Sequence, residues 1–509
     1  MIGLPEVEEQ LLLAESTVRD GENGLIQDTS PSNGTRSTRS ILERLGKYIL
    51  DPRRVLHNFF LHFLLCLFAP GVLVFDAMFA TFEGPLLEHL KISHGAFGLL
   101  FSLPTLLGVV SAPTASVVLT YGATRVIVIA GIFVFKGCML IALGVARKNF
   151  ALVLFGRVVL SLFQSVLGSV ASLVTFRLFR SESSRALAYS MIIFSNRVGA
   201  ISGFFFSGRC LLVSGGQVDE AVWLSSIPTA VCLVATLSFA WLYRGSATAR
   251  RVRPLMGRED GQRGASSSAS LSGLVRQLPT DFWWLWVLIG CMYGSIIPFE
   301  TIAVNFFQES YGIDALVAGS VLSICPALAL GSPIFSSIVF SAKRQIACVW
   351  LAAVSVTCAM LAMLLELPWD VSMFMLLLGL GYMMATNTVW VLVPQVVTEP
   401  QLQTVAIGVS GVSSSLFIAA ANFLAGYLRD WSGSWRYVLV LFTCIASLGV
   451  ISATSLAVGL MKGRWGREEQ PSDGTLQAQQ VDVVVTRLNQ SGGLEESHFA
   501  TNKITSSTN

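Results

Sequence analysis

Arg197 sits in the middle of an apolar run, AYSMIIFSNRVGAISGFFFSG at 188–208, twelve residues beyond Arg185. At about 1.5 Å per helical residue, that spacing places the guanidinium near the midplane of a bilayer whose hydrocarbon core is about 30 Å thick. An uncompensated charge at that depth costs about 2.5–3.5 kcal/mol. A solute with a negative group is one candidate for the compensation, and a structural pair with Asp76 or Glu300 is the other. A guanidinium fork holds a carboxylate through two parallel hydrogen bonds, so an acidic end group is the natural ligand.

The other intramembrane polar residues are few. Glu300 follows Pro298 in the middle of the seventh apolar segment, where its acid suits either Arg197 or a solute amine. Asp76 lies in the outer half of the first segment, open to a ligand or ion-coupling role or simply to water. Lys136 has a stem long enough to snorkel, and Arg157 suits bracing of neighbouring helices. Asn387 and Asn422 can hydrogen-bond across helices, which accounts for most such residues. Catalytic chemistry finds no support: there is no Gly-x-Ser-x-Gly, no metal-ligand histidine pair and no phosphate-binding glycine loop. The nine cysteines have no metal-ligand spacing and read as small packing residues, so neither a cofactor nor a metal is expected.

The elements that must position these residues are transmembrane helices. Of 509 residues, 53% are hydrophobic and 13% charged, against about 25% charged in soluble domains. Twelve apolar segments are long enough to span, near 58–82, 95–120, 124–146, 149–176, 186–208, 221–243, 282–306, 315–340, 345–366, 371–394, 402–428 and 434–461. The first is expected to act as a signal anchor, because the polar residues before it form no cleavable leader. Lysine and arginine near the segment ends divide 22 against 6 between the two sides, which predicts cytosolic termini. The net charge of +3 reflects this topology and gives no reason to invoke nucleic acid.

A cytosolic tail at 1–57, a basic linker at 244–280 and a second tail at 462–509 are polar and low in apolar residues. The linker separates six segments at 58–243 from six at 281–461. The expected fold is an all-α membrane protein of twelve helices in two six-helix bundles, an arrangement similar to the major facilitator architecture, with a solute site near the midplane between the bundles. Gly199 and Gly203, like Gly168 and Ser172, put small residues four apart on one helix face and predict close helix packing.

Several strings resemble the lysosomal dipeptide transporter family of that superfamily. They are GRVVL at 156–160, SNRVG at 195–199, PFETIAVNFF at 298–307, YGIDALVAGS at 311–320, GLGY at 379–382, VPQVVTEPQL at 393–402 and AGYLRD at 425–430. The resemblance implies dipeptide export from the lysosome by uniport, and a glycosylated accessory subunit. It places Arg197 on the family arginine that holds the substrate carboxylate. The family acid that meets the substrate amine falls on Ser165, a family basic residue falls on Val304, and Thr120-Tyr121-Gly122 replaces the usual loop aspartate. Glu8, Leu12 and Leu13 fit an acidic dileucine sorting signal read by cytosolic adaptors, in keeping with a lysosomal or vacuolar membrane, with the plasma membrane as the alternative. The expected substrate is a dipeptide or a cationic amino acid. A sugar or organic-anion carrier and a non-transporting receptor or scaffold are the competing readings.

Overall fold

The computed structural model describes residues 55–108, 122–179, 182–245, 271–331, 335, 342–397 and 399–462. Glu8, Leu12, Leu13, Pro113, Thr120, most of the central linker and nearly all of the C-terminal tail lie outside them.

A chain that crosses hydrocarbon must satisfy every backbone N–H and C=O internally, and helices do so within one segment. Among the described residues there is accordingly helix and no strand. The first half comprises α1 (Val55–Cys66), α2 (Pro70–Thr81), α3 (Glu83–Leu90), α4 (His94–Gly108), α5 (Ala123–Ala146), α6 (Phe150–Leu178), α7 (Glu182–Val213), α8 (Val218–Ser225) and α9 (Ile227–Gly245). The short α10 (Leu271–Arg276) leads into the second half. That half holds α11 (Thr280–Tyr311), α12 (Ala315–Leu322), α13 (Ile324–Leu328), α14 (Ala342–Leu364), α15 (Val371–Val396), α16 (Pro400–Ser432) and α17 (Trp435–Met461). Contacts group residues up to Val458 into one compact unit, and all the packing below lies within it.

Each of the twelve expected segments falls mainly on helix where it is described, with breaks at 67–69, 226 and 323. Among the described residues, nine helical stretches are individually long and apolar enough to cross a membrane, and the α3–α4 pair, bent by 110°, makes a tenth candidate. The 32-residue α7 is long enough but too polar to pass by composition. It carries Asn196 and Arg197 because part of it faces protein rather than lipid. Breaks fall where proline removes a donor: Pro70 opens α2, Pro228 lies one residue into α9, and Pro326 sits in α13. Pro104, Pro298 and Pro394 are carried inside α4, α11 and α15.

Two aromatic-rich cores hold the halves together, with Phe75, Phe79, Phe82 and Phe97 fully buried in the first and Phe299, Phe307, Phe374 and Phe442 in the second. The glycine face expected on α7 is used for close approach, whereas on α6 a Cβ at Gly168 would meet nothing within 4 Å, so the close packing expected there is not formed. A Cβ on Gly199 would meet Pro70 at 2.6 Å, and one on Gly203 would meet Ala77 at 2.6 Å, so α7 lies directly on α2. Between the halves, α4 packs on α16, α11 on α2, and α7 on α12 and α13.

Candidate functional site

Arg197 projects from the middle of α7 and is part-buried. Its Nη1 donates to the Tyr382 hydroxyl at 2.5 Å, and the guanidinium carbon lies 4.5 Å from the centre of the Tyr382 ring. Tyr382 comes from α15, in the other half of the chain, so the contact crosses between the bundles. Glu300 and Tyr293, both on α11, act electrostatically on the guanidinium, but among the described residues no carboxylate comes within ion-pair distance of it. Glu300 hydrogen-bonds with the Cys325 thiol, and its Oε1 is buried with no partner. Beside Arg197, Asn196 Oδ1 is also buried and unpartnered. Tyr293 accepts from Trp390 Nε1 at 2.8 Å, which closes an aromatic wall next to Tyr382. Buried polar atoms are normally satisfied, so a cationic fork and two unpartnered oxygens in one region suit a polar guest.

The structure separates Asp76 from this group. Asp76 Oδ1 accepts from Arg157 Nη1, and Arg157 is 6% exposed, packed against the rings of Phe79 and Phe101, with its Nε donating to Leu100 O at 3.3 Å. That pair braces α2, α4 and α6 within the first half. Ser165 turns its hydroxyl to its own helix, donating to Ser161 O at 2.9 Å. Asn387 likewise donates to Met383 O at 2.6 Å on α15. Lys136 is exposed, 5.4 Å from the Phe133 ring, as a snorkelling side chain would be. Of the sequence candidates, Arg197 and Glu300 come together.

A second polar cluster gathers where α3 and α4 begin and α11 and α16 end. Glu83, at the start of α3 and 1% exposed, receives a hydrogen bond at 3.1 Å from His94 Nδ1 on α4. Burial raises its carboxyl to about 7 against the pull of His94. Asp430 on α16 accepts from the backbone N–H groups of His94 and Gly95. Arg429 pairs with Glu309, which also accepts from Trp435 Nε1 at 2.7 Å. A vestibule of about 610 Å³ lined by Glu309, Glu366, Arg429 and Arg436 brings water to this pair, so it contributes little stability. Closeness of backbone supplies the rest: a Cβ on Gly426 would meet His94 O at 2.3 Å, and one on Gly98 would meet Asn422 O at 2.6 Å. Toward the other end of α16, Gly408 and Gly411 have nothing within 4 Å of such an atom. The two halves are thus clasped at one end of α16, and among the described residues nothing lies against Gly408 and Gly411 toward the other.

Two bundles clasped at one end, with a polar site between their middles, match the alternating-access plan. The Major Facilitator Superfamily model matches residues 64–416. The chain belongs to the Major Facilitator Superfamily. Membership makes it a multi-pass carrier of small solutes across a lipid bilayer, and not an enzyme. Among curated relatives of the superfamily, the lysosomal dipeptide transporter MFSD1 of Homo sapiens is 24% identical over 420 residues, 80% of this chain and 87% of that protein. The Bos taurus protein of the same name is 26% identical over 339 residues, 65% and 69% of the two chains. Solved superfamily structures share the fold. A D-xylose–proton symporter aligns with TM-score 0.60 at 14% identity, covering 78% of this chain and 97% of its own. A peptide transporter in complex with sulfate aligns with TM-score 0.58 at 13% identity, covering 80% and 94%.

Sequence reasoning missed Tyr382, Tyr293 and Trp390. An aromatic in an apolar helix reads as core, and only its pairing with a charge marks it out. It also missed the His94–Asp430 and Glu309–Arg429 contacts, whose partners lie far apart in the chain; their position at segment ends was the available signal.

Proposed function

We propose that the chain is a dipeptide uniporter that binds the peptide carboxylate at Arg197 and the peptide amine at Glu300. The observation that carries this reading is a guanidinium inside the fold without a carboxylate partner among the described residues, facing an acid from the opposite bundle whose Oε1 is unpartnered. A zwitterion satisfies both groups at once, and its two ends then touch both bundles. The dipeptide class comes from the names of the curated relatives.

Ser165 carries no charge and spends its hydroxyl on its own helix, so the amine contact moves from α6 to Glu300 on α11. Asp76 is spoken for by Arg157, which removes one candidate for proton coupling and favours uniport. With cytosolic termini, as the basic residues indicate, the clasped end faces the lumen and the described state opens to the cytosol. A lysosomal or vacuolar membrane, sorting through Glu8, Leu12 and Leu13, and a glycosylated accessory subunit belong to the same proposal.

The test is flux in proteoliposomes of the purified full chain, with dipeptides, cationic amino acids and sugars as competing solutes. Dipeptides should compete best, and Arg197→Ala should abolish flux while its elution profile in detergent stays that of the wild type. Preference for sugars, or unchanged flux in Arg197→Ala, overturns the reading. A protein that moves no solute is instead a receptor or scaffold.

A further inference from the structure

Arg197 raises a difficulty that a solute alone does not solve. A uniporter returns empty after each delivery, and in the empty state the guanidinium has lost the carboxylate that compensated it. An ion-coupled carrier can fill such a gap with its ion. A uniporter has to fill it from its own side chains.

Tyr382 is placed to do so. Its hydroxyl accepts from Arg197 Nη1 at 2.5 Å, and its ring lies under the same guanidinium at 4.5 Å. One side chain thus supplies both an acceptor and a cation–π face. Tyr382 is 5% exposed and held in place by close helix packing. A Cβ on Gly379 would meet Cys325 Cα at 3.0 Å, and one on Gly381 would meet Ala352 O at 2.9 Å, so α15 is pressed against α13 and α14. Arg197 and Tyr382 both lie near the middle of their helices, where a rocking motion displaces residues least.

We propose that Tyr382 is a surrogate ligand for Arg197 in the empty carrier, compensating the guanidinium so that the solute-free protein reorients without a coupling ion. The proposal rests on Arg197 being the carboxylate site. The chemistry ranks the two occupants correctly. A phenol offers one neutral acceptor, whereas a carboxylate offers two charged oxygens to a planar fork. Solute therefore displaces the hydroxyl from the fork, and the hydroxyl returns when solute leaves. Tyr382 on this account is a positioning residue for the return step. Its removal costs the empty half of the cycle and spares the loaded half.

The experiment compares wild type with Tyr382→Phe, which keeps the ring and deletes the hydroxyl, in proteoliposomes with labelled Ala-Ala. Net uptake into solute-free vesicles requires the empty return, while counterflow into vesicles preloaded with unlabelled Ala-Ala does not. Net uptake is expected to fall about tenfold and counterflow to change by less than about twofold, since a lost hydrogen bond to a charged group is worth roughly that larger factor. Equal losses in both modes mean a merely structural contact and overturn the proposal. A second measurement does not depend on the substrate being a dipeptide. Formate, at ionic strength matched with chloride, should raise the melting temperature of solute-free Tyr382→Phe more than that of the wild type, because the exposed fork accepts a small carboxylate. Equal shifts overturn the surrogate role. Absence of dipeptide flux in the wild type, with the formate effect present, overturns the dipeptide reading alone.

Discussion

Asp430 caps the first turn of α4 from the other bundle: its two carboxylate oxygens accept from the backbone N–H groups of His94 at 2.9 Å and Gly95 at 2.6 Å. A helix N-terminus leaves its first N–H groups unpaired and carries a partial positive charge, so a carboxylate there is doubly favoured. Here the cap belongs to a helix that must part from α4 for the clasped end to open.

Asp430→Ala should therefore favour the open form. A lost cap costs about 1 kcal/mol, or roughly a fivefold change in the ratio of end states. The distance between spin labels at Glu88 and Trp431 reads that ratio, and both positions are exposed. Asp430→Asn, which keeps an acceptor, should fall between the two. No change in the distance distribution for Asp430→Ala would show that the cap plays no part in closure.

Acid should close the same end. Glu83 is buried in the clasped form and faces His94 from α4, Glu309 from α11 and Arg429 from α16. Its carboxyl is raised from 4.5 to about 7 there, whereas opening returns it to water and its ordinary value. The clasped form then binds the proton more tightly. The advantage is complete below about 4.5, is lost as pH rises to about 7, and amounts to up to tenfold per unit. Glu83→Gln should flatten the pH dependence of the label distance across that window. Retention of the full wild-type dependence in Glu83→Gln would assign the effect elsewhere.

Separating Asp76 from Arg157 should damage the fold and leave solute choice alone. Removing one partner strands a buried charge, at a cost of about 3–5 kcal/mol. Asp76→Ala should lower the melting temperature sharply, and Asp76→Ala combined with Arg157→Met should recover much of the loss. Normal stability together with a changed substrate profile in Asp76→Ala would move this residue into the solute site.

A side chain at Gly426 has nowhere to go in the clasped form, since a Cβ there would lie 2.3 Å from His94 O. Gly426→Val should hold the end open, so that a thiol reagent reaches a cysteine placed at Ser102 faster than in the wild-type background. Equal labelling rates would mean that α4 and α16 shift apart at little cost.

Much of this architecture is legible in the sequence because a bilayer leaves few choices. Apolar runs of spanning length fall mainly on helices where they are described, and the glycine pair at 199 and 203 does form a close-packing face. The lower apolarity of α7 was visible as its Ser, Asn and Arg content, and the packing shows why: a helix facing protein need not match lipid. Arg197 was legible from depth alone. Its partner was not, because Tyr382 differs from its apolar neighbours by one oxygen, and 185 positions separate the two. Asp76 was legible as an acid in the membrane, but its choice of Arg157 over Arg197 depends on how α2, α4 and α6 pack. The clasp was illegible for the same reason, as a product of tertiary placement.

The glycine face that seats α7 on α2 also bears on measurements made from outside. With Gly199 against Pro70 and Gly203 against Ala77, α7 is seated on α2, and a shift of Arg197 that keeps these contacts carries α2 with it. Solute occupancy and the state of the distant clasp are then two readings of one equilibrium. Thermodynamic reciprocity follows: whatever factor a bound solute imposes on opening, opening must impose on solute affinity. The ratio of affinities measured from the two faces of the membrane is thus fixed by the shift in label distance, and neither quantity can be altered by mutation without the other.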